Sequence, residues 1–440
     1  MKKNKIKTKD FSRRNFIKKS ALITGGALSI PLSVDAMANV NNEKKLKIGV
    51  VGCGGRGTGA AVQALRADKN VELVALSDAF EDRLEKSLNA IINEFDGELE
   101  IKVKDKNKFI GFKGYKKAID LADVVILASP PGFRPEHFEY AVNKNKHIFM
   151  EKPVATDAAG VRKILNAAKL VKEKKLNVVV GLQRRYQLSY LDIFKQVKRG
   201  IIGKIISGTV RWNSSGVWVN KRKPGQSELE YQMRNWYYFN WICGDHIVEQ
   251  HIHNLDVANW FLGEHPITAQ GMGGREVRKG IDHGEIFDHH YVEFKYPSGA
   301  VIHSQCRHQP GTVRNVNELL VGTKGVVNLS GNGVVKINDH NGNLLHKYDP
   351  KNDLSPYQIE HNKLFKSIRS KGQIDDTEIG ATATMTAIMG RMATYSGKLI
   401  EWEKALNADQ KLVPENIDWN SKPPVMPDNN GYYKIPVPGK

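Results

Sequence analysis

Between residues 46 and 181 the chain alternates short apolar runs with amphipathic stretches. The runs at 46–51 (LKIGVV), 71–77 (VELVALS), 124–128 (VVILA), 147–150 and 177–181 (NVVVG) are continuously apolar rather than alternating. That is the pattern of strands buried on both faces. Between them, 58–67, 81–95, 135–143 and 157–174 show helical spacing. Strands and helices in strict alternation predict a doubly wound α/β layer with a parallel sheet.

After about residue 186 the pattern changes. A helix is predicted over 191–199, ending at Gly200, and a strand over 204–212. A loop with Pro224 and Gly225 leads into a His-rich segment at 244–259. Strand-like runs follow at 287–296, 300–307, 317–321, 325–330 and 333–337, with Pro297-Ser298-Gly299 and Thr323-Lys324-Gly325 as turns. These predict a second, α+β domain with a large, mostly antiparallel open sheet. Helices over 359–369 and 379–396 close it, and the proline-bearing tail from 416 reads as extended. The expected division is 1–38 as a leader, 39–45 as a linker, 46–183 as the parallel domain, 184–400 as the second domain and 401–440 as the tail.

The leader changes how the charge is read. Ser12-Arg13-Arg14-Asn15-Phe16-Ile17-Lys18 has the form of a twin-arginine export signal, followed by an apolar stretch at 20–34 and an Ala36-Met37-Ala38 cleavage site. That predicts passage through the twin-arginine translocase to the periplasm. Of the formal net charge of +19, residues 1–38 carry nine basic and two acidic side chains, so +12 remains. The remaining lysines are scattered and have no recognition motif, which argues against nucleic acid as a partner. Three cysteines, Cys53, Cys243 and Cys306, are too few for a disulfide scaffold; a Cys243–Cys306 bridge is conceivable but unsupported by any spacing.

Candidate chemistry begins at Gly52-Cys53-Gly54-Gly55-Arg56-Gly57, which follows a predicted strand and opens a helix. Gly52 permits the turn, Gly54 lets backbone approach a pyrophosphate, Gly57 allows the helix to pack on the strand, and the helix N-terminus favours phosphate. Asp78 stands where a carboxylate accepts the adenosine ribose hydroxyls and repels a 2′-phosphate, so NAD is expected over NADP. Glu151-Lys152-Pro153 follows a later strand; a lysine there can stabilise charge on a reacting carbinol oxygen, and the Lys-Pro bond can be cis. In the His-rich segment Glu249 and His253 share a face if the helix is continuous, with Asp256 near it and His251 pointing elsewhere. A histidine that a carboxylate orients suits a general base. His246, His251, His253 and Asp256 could also ligate a metal, but no zinc-type spacing appears and no metal is expected.

These motifs occur in a fixed order with Ala128-Ser129-Pro130-Pro131, His137 and Gln183-Arg184-Arg185-Tyr186. In this the chain resembles the Gfo/Idh/MocA family of sugar and cyclitol oxidoreductases over roughly residues 46–400. The resemblance implies Lys152, Glu249 and His253 as the catalytic set; Glu249 departs from the Asp of many members, which shifts where its carboxylate reaches. The cofactor set is then Gly52, Gly54, Gly55, Arg56, Gly57, Asp78, Ser129, Pro130, Glu151 and Lys152, with NAD held tightly. Arg184, Tyr186, Trp212, His251 and Asp256 are substrate candidates. The resemblance also implies oligomer contacts through the open sheet, so a homodimer or tetramer is expected. The expected activity is oxidation of a sugar, glycoside or cyclitol hydroxyl. The competing readings are a redox-neutral NAD-dependent glycosidase acting through a transient keto-sugar, and a non-catalytic carbohydrate-binding scaffold.

Overall fold

The computed structural model describes residues 44–97, 99, 101, 103–330 and 334–439. The export signal and cleavage site expected at 1–38 lie outside the described residues. Six strands form the first sheet: β1 (Leu46–Val51), β2 (Val71–Asp78), β3 (Lys108–Ile110), β4 (Val124–Leu127), β5 (His147–Met150) and β6 (Val178–Val180), in the order β3-β2-β1-β4-β5-β6. All pairings are parallel, and this order is that of a dinucleotide-binding sheet. Helices Gly55–Ala67, Glu81–Phe95, Gly114–Leu121, Arg134–Asn143 and Ala158–Glu173 connect them.

The continuous apolar strands divide their side chains by parity. Ile48, Val50, Val124, Ile126, Phe149 and Val179 face Ala60, Ala64, Leu84 and Leu88 on one side. Val51, Val125, Leu127, Ile148, Met150 and Val180 face Phe138, Val161 and Ile164 on the other. A helix from much later in the chain, Pro356–Arg369, completes the first side with Leu364 and Phe365. Another, Thr377–Ser396, contributes Ala381, Met385 and Ile388 to the core shared by both sheets.

The second sheet has nine strands: β7 (Ile205–Ser214), β8 (Thr268–Gly274), β9 (His289–Lys295), β10 (Val301–His308), β11 (Asn315–Gly322), β12 (Gly325–Leu329), β13 (Val335–Asp339), β14 (Leu344–Tyr348) and β15 (Ile400–Glu401). Their order is β14-β13-β12-β11-β7-β10-β9-β8-β15, antiparallel except for β7 beside β10. The sequence pattern did not reveal β3, β8, β14 or helix Gly114–Leu121. β3 has only three residues, and β8 reads TAQGMGG. The glycines of β8 are required: a Cβ on Gly271 would stand 2.4 Å from the Tyr291 carbonyl oxygen, and one on Gly273 2.7 Å from that of His289. Close sheet packing has therefore removed the residues that normally announce a strand. All three cysteines are free and buried, so the Cys243–Cys306 bridge does not form.

Gly57 packs its helix so closely on the β1 turn that an added Cβ would lie 1.9 Å from the Gly52 carbonyl oxygen. Gly57→Ala is expected to destabilise the chain by about 1–3 kcal/mol, the ordinary cost of overpacking. Urea denaturation checks this, and an unchanged midpoint would show that the turn yields freely.

Candidate active site

β1 delivers the chain to Gly52, whose φ of +95° and whose Cβ clash with Ser129 N at 2.3 Å exclude other residues. Its neighbour Cys53 donates its N–H to Asp78 Oδ2 at 2.7 Å, and Phe80 N donates to Oδ1 at 2.9 Å. The acid at the end of β2 is thereby fixed beside the glycine turn. Gly54 and Gly55 behave differently from Gly52 and Gly57, since a Cβ at either would meet nothing within 4 Å. Backbone N–H groups at a helix start, open on one side and flanked by an acid, fit the pyrophosphate and ribose of a dinucleotide.

Arg56, in the first turn of that helix, reaches across to the later motif. Its Nε donates to Glu151 Oε1 at 2.8 Å, its guanidinium lies 3.8 Å from Glu360 Oε1, and it sits 4.6 Å over the Tyr357 ring. Burial works against ionisation of Glu151, but Arg56, Lys152 and Arg134 outweigh it and hold the carboxyl below its ordinary range. Glu360 has less help, and burial pushes it well above the carboxylate range. Ser129 Oγ bonds His137 Nδ1 at 3.0 Å, and Pro130 opens the turn Pro131–Phe133 that follows β4.

The Lys152-Pro153 bond is cis. Lys152 Nζ lies 3.2 Å from Glu249 Oε1 and donates to the Glu249 carbonyl oxygen at 2.6 Å. Residues 97 apart in sequence thus meet where β5 ends. Glu249 and His253, however, are not on one continuous helix. The segment breaks into His246–Glu249 and Ile252–Leu262, with Gln250 and His251 between them. The Glu249 carboxylate therefore faces Lys152. His253 is buried, stacked at 6.0 Å on Trp212, and its Nδ1 has no partner. Burial, then the charges of Lys152, Arg184 and Arg56, depress its pKa well below the ordinary range. The imidazole is therefore neutral at neutral pH.

The other substrate candidates are engaged within the protein. Arg184 forms a buried ion pair with Glu318, which also accepts from Tyr190 Oη at 2.8 Å and Asn254 Nδ2 at 2.6 Å. Asp256 is held by Arg185 through Nε at 2.8 Å and Nη2 at 2.8 Å. Tyr186 turns into the parallel-sheet core and bonds Asp376. His251 Nε2 bonds Ser304 Oγ at 2.8 Å. Of the five, Trp212 reaches the Lys152–His253 region, through its stack on His253.

The metal set weighed from sequence does not converge. Among the described residues the group of three such side chains that does come together is Asp245, His246 and His290, with ligand atoms within 4.8 Å. Both Asp245 oxygens already serve as acceptors. Oδ1 faces His246 Nδ1 at 2.8 Å, and Oδ2 takes Phe287 N at 3.0 Å and the Tyr395 hydroxyl. Asp245 thus acts as a hydrogen-bond anchor for this buried cluster. Sequence reasoning missed this anchor, along with Glu318, Glu360 and Tyr357. Glu360 and His361 had a readable signal, because they occupy the apolar stripe they share with Leu364 and Phe365. Tyr237 stands out only in three dimensions: its buried hydroxyl has no partner, and burial followed by Glu249 raises its pKa.

Two family models match this chain: an oxidoreductase family NAD-binding Rossmann fold over residues 46–182, and that family's C-terminal alpha/beta domain over 195–414. The chain belongs to the Gfo/Idh/MocA oxidoreductase family. Among curated members, inositol 2-dehydrogenase of Rhizobium meliloti is 25% identical over 284 residues, 64% of this chain and 74% of the relative. The 2,7-anhydro-N-acetylneuraminate hydratase of Escherichia coli is 28% identical over 179 residues, 41% of this chain and 44% of the relative. Among solved structures, aldose-aldose oxidoreductase of Caulobacter crescentus shares the fold with a TM-score of 0.64 at 17% identity, covering 81% of this chain and all of that one (100%).

Buried neutral histidines carry a stability consequence. His137, His246 and His251 are depressed by burial to about 3, about 4 and about 3. The unfolded chain protonates them near 6.5, while the folded chain refuses the proton. Their contribution to stability is therefore complete above pH 6.5 and is lost as the pH falls from there towards 4. Each histidine costs up to about 1.4 kcal/mol per pH unit. Denaturation at pH 7 and pH 5 should show a loss of several kcal/mol; equal stabilities would contradict the assigned protonation states.

Proposed function

We propose that this protein is an exported, NAD-dependent dehydrogenase that oxidises a secondary hydroxyl of a sugar, glycoside or cyclitol while keeping its cofactor bound. The observation that carries the reading is the Lys152–Glu249 pair at the carboxyl end of the parallel sheet, with the buried His253 close enough to feel the lysine's charge. Membership of an NAD-binding oxidoreductase family supports it, as do relatives named for inositol oxidation. The Asp78 carboxylate beside the glycine turn favours NAD over its 2′-phosphorylated form.

NAD, when bound by the glycine turn and Asp78, supplies the hydride acceptor. His253 takes the proton of the reacting hydroxyl. Lys152 places positive charge beside the oxygen as negative charge develops there. Glu249 holds the lysine ammonium in place through both its carboxylate and its carbonyl oxygen. Trp212, stacked on His253, fixes the imidazole plane and offers an apolar face to a sugar ring. Twin-arginine export in the folded state is consistent with a captive cofactor, and the open face of the nine-stranded sheet suits a homodimer or tetramer.

A second reading keeps the same site but makes the net reaction redox-neutral, and the likeness to a protein named as a hydratase supports it. Steady aglycone release from nitrophenyl glycosides without added NAD would favour that chemistry.

The test is NAD reduction by the purified chain across a panel of cyclitols and sugars. His253→Ala is expected to lower kcat/KM by about 10²–10⁴, and Lys152→Met comparably, with NADH binding retained. The acid limb of the pH profile should fall below the ordinary histidine pKa of about 6.5, because the base is already neutral there. Full activity in both variants would sink the assignment.

A further inference from the structure

The tail that follows the family domain reaches back to the nucleotide end of the parallel sheet. The matched family region ends at 414, and five residues later comes Trp419. Its ring lies 4.7 Å from that of Phe112 and 5.2 Å from that of Phe80. Phe80 stands two residues beyond Asp78, and its N–H is held by that carboxylate. Phe112 leaves β3 just after Gly111, whose N–H donates to the Asp78 carbonyl oxygen at 2.9 Å. Phe133, from the turn after β4, lies 5.9 Å from Phe112. In open α/β sheets the ligand lies outside the carboxyl ends of the strands, and these aromatics crowd the ends of the three strands β2, β3 and β4.

The tail is pinned on both sides of Trp419. Leu412 N donates to Asp157 Oδ2 at 2.7 Å, and Val425 O accepts from Gln232 Nε2 at 2.7 Å. Ile417 is only 9% exposed and belongs to an apolar cluster with Trp241 and Tyr433. Trp419 itself stays 37% exposed. A large aromatic ring held this firmly, yet left one-third open against Phe80, two residues beyond Asp78, offers a stacking face to a purine.

We propose that Trp419, with the tail that carries it, forms the outer wall of the adenosine end of the cofactor site and slows nucleotide escape. This rests on NAD being the nucleotide, as argued above. Such a wall supplies in this chain a physical cause for cofactor retention that the glycine turn alone does not.

The experiment measures NADH affinity and dissociation rate by displacement from the full chain, its Trp419→Ala and Trp419→Phe variants, and Tyr432→Ala as an exposed tail control. Reduced nicotinamide mononucleotide, which lacks adenosine, is the second probe. Trp419→Ala is expected to speed NADH release at least about fivefold, the low end for loss of a base-stacking partner. Trp419→Phe should recover most of this. Mononucleotide binding should not move, which separates loss of the adenosine contact from a general loss of stability. Unchanged NADH release in Trp419→Ala, or equal losses for both probes, would overturn the proposal while leaving the NAD assignment intact. A parent chain that binds neither probe would overturn both.

Discussion

Three successive side chains after β6 set the position of everything that follows. Arg184 goes to Glu318 on β11, Arg185 to Asp256 on helix Ile252–Leu262, and Tyr186 to Asp376 ahead of helix Thr377–Ser396. Each bond joins the end of the parallel sheet to a different element of the second domain. Because these groups are buried or half-buried, breaking any one of them leaves a charge or hydroxyl where water solvates it poorly. The knot therefore has one satisfied arrangement. In that arrangement His253, three residues before Asp256, comes under the influence of Lys152 at the end of β5.

Burial, reinforced by the charges of Lys152, Arg184 and Arg56, keeps His253 neutral, while Glu151 and Glu249 balance the cations that face them. A neutral base beside an ammonium group is what removal of a hydroxyl proton requires. The glycine turn joins this arrangement through Arg56, which connects the phosphate-facing helix to Glu151 next to Lys152. The glycine turn and the Lys152–Glu249 pair are thus linked through Arg56, Glu151 and the peptide bond between Glu151 and Lys152.

The parallel domain was largely legible in the sequence because its strands are buried on both faces and its glycine turn has a local steric cause. The His-rich segment was legible as chemistry but not as geometry. The spacing of Glu249 and His253 predicts a shared helical face, yet the helix breaks at Gln250 and His251, so Glu249 turns to Lys152 instead. Arg184 and Asp256 looked available to a substrate, and their partners Glu318 and Arg185 occupy them. Nothing local to either residue announces such a partner.

By itself the sequence determined five of the six strands and four of the five connecting helices of the first domain, the turn at Gly52 and the short list of residues able to move a proton. These depend on side-chain parity, on backbone angles and on residue chemistry, all of which act over a few positions. Only the tertiary structure decided which charges are cancelled and which stay available. It placed Lys152 on Glu249, Arg185 on Asp256, and Trp419 against Phe80 and Phe112. These pairings link residues from 71 to 339 positions apart, and they form because buried charges and rings must find partners wherever the packed core brings them together.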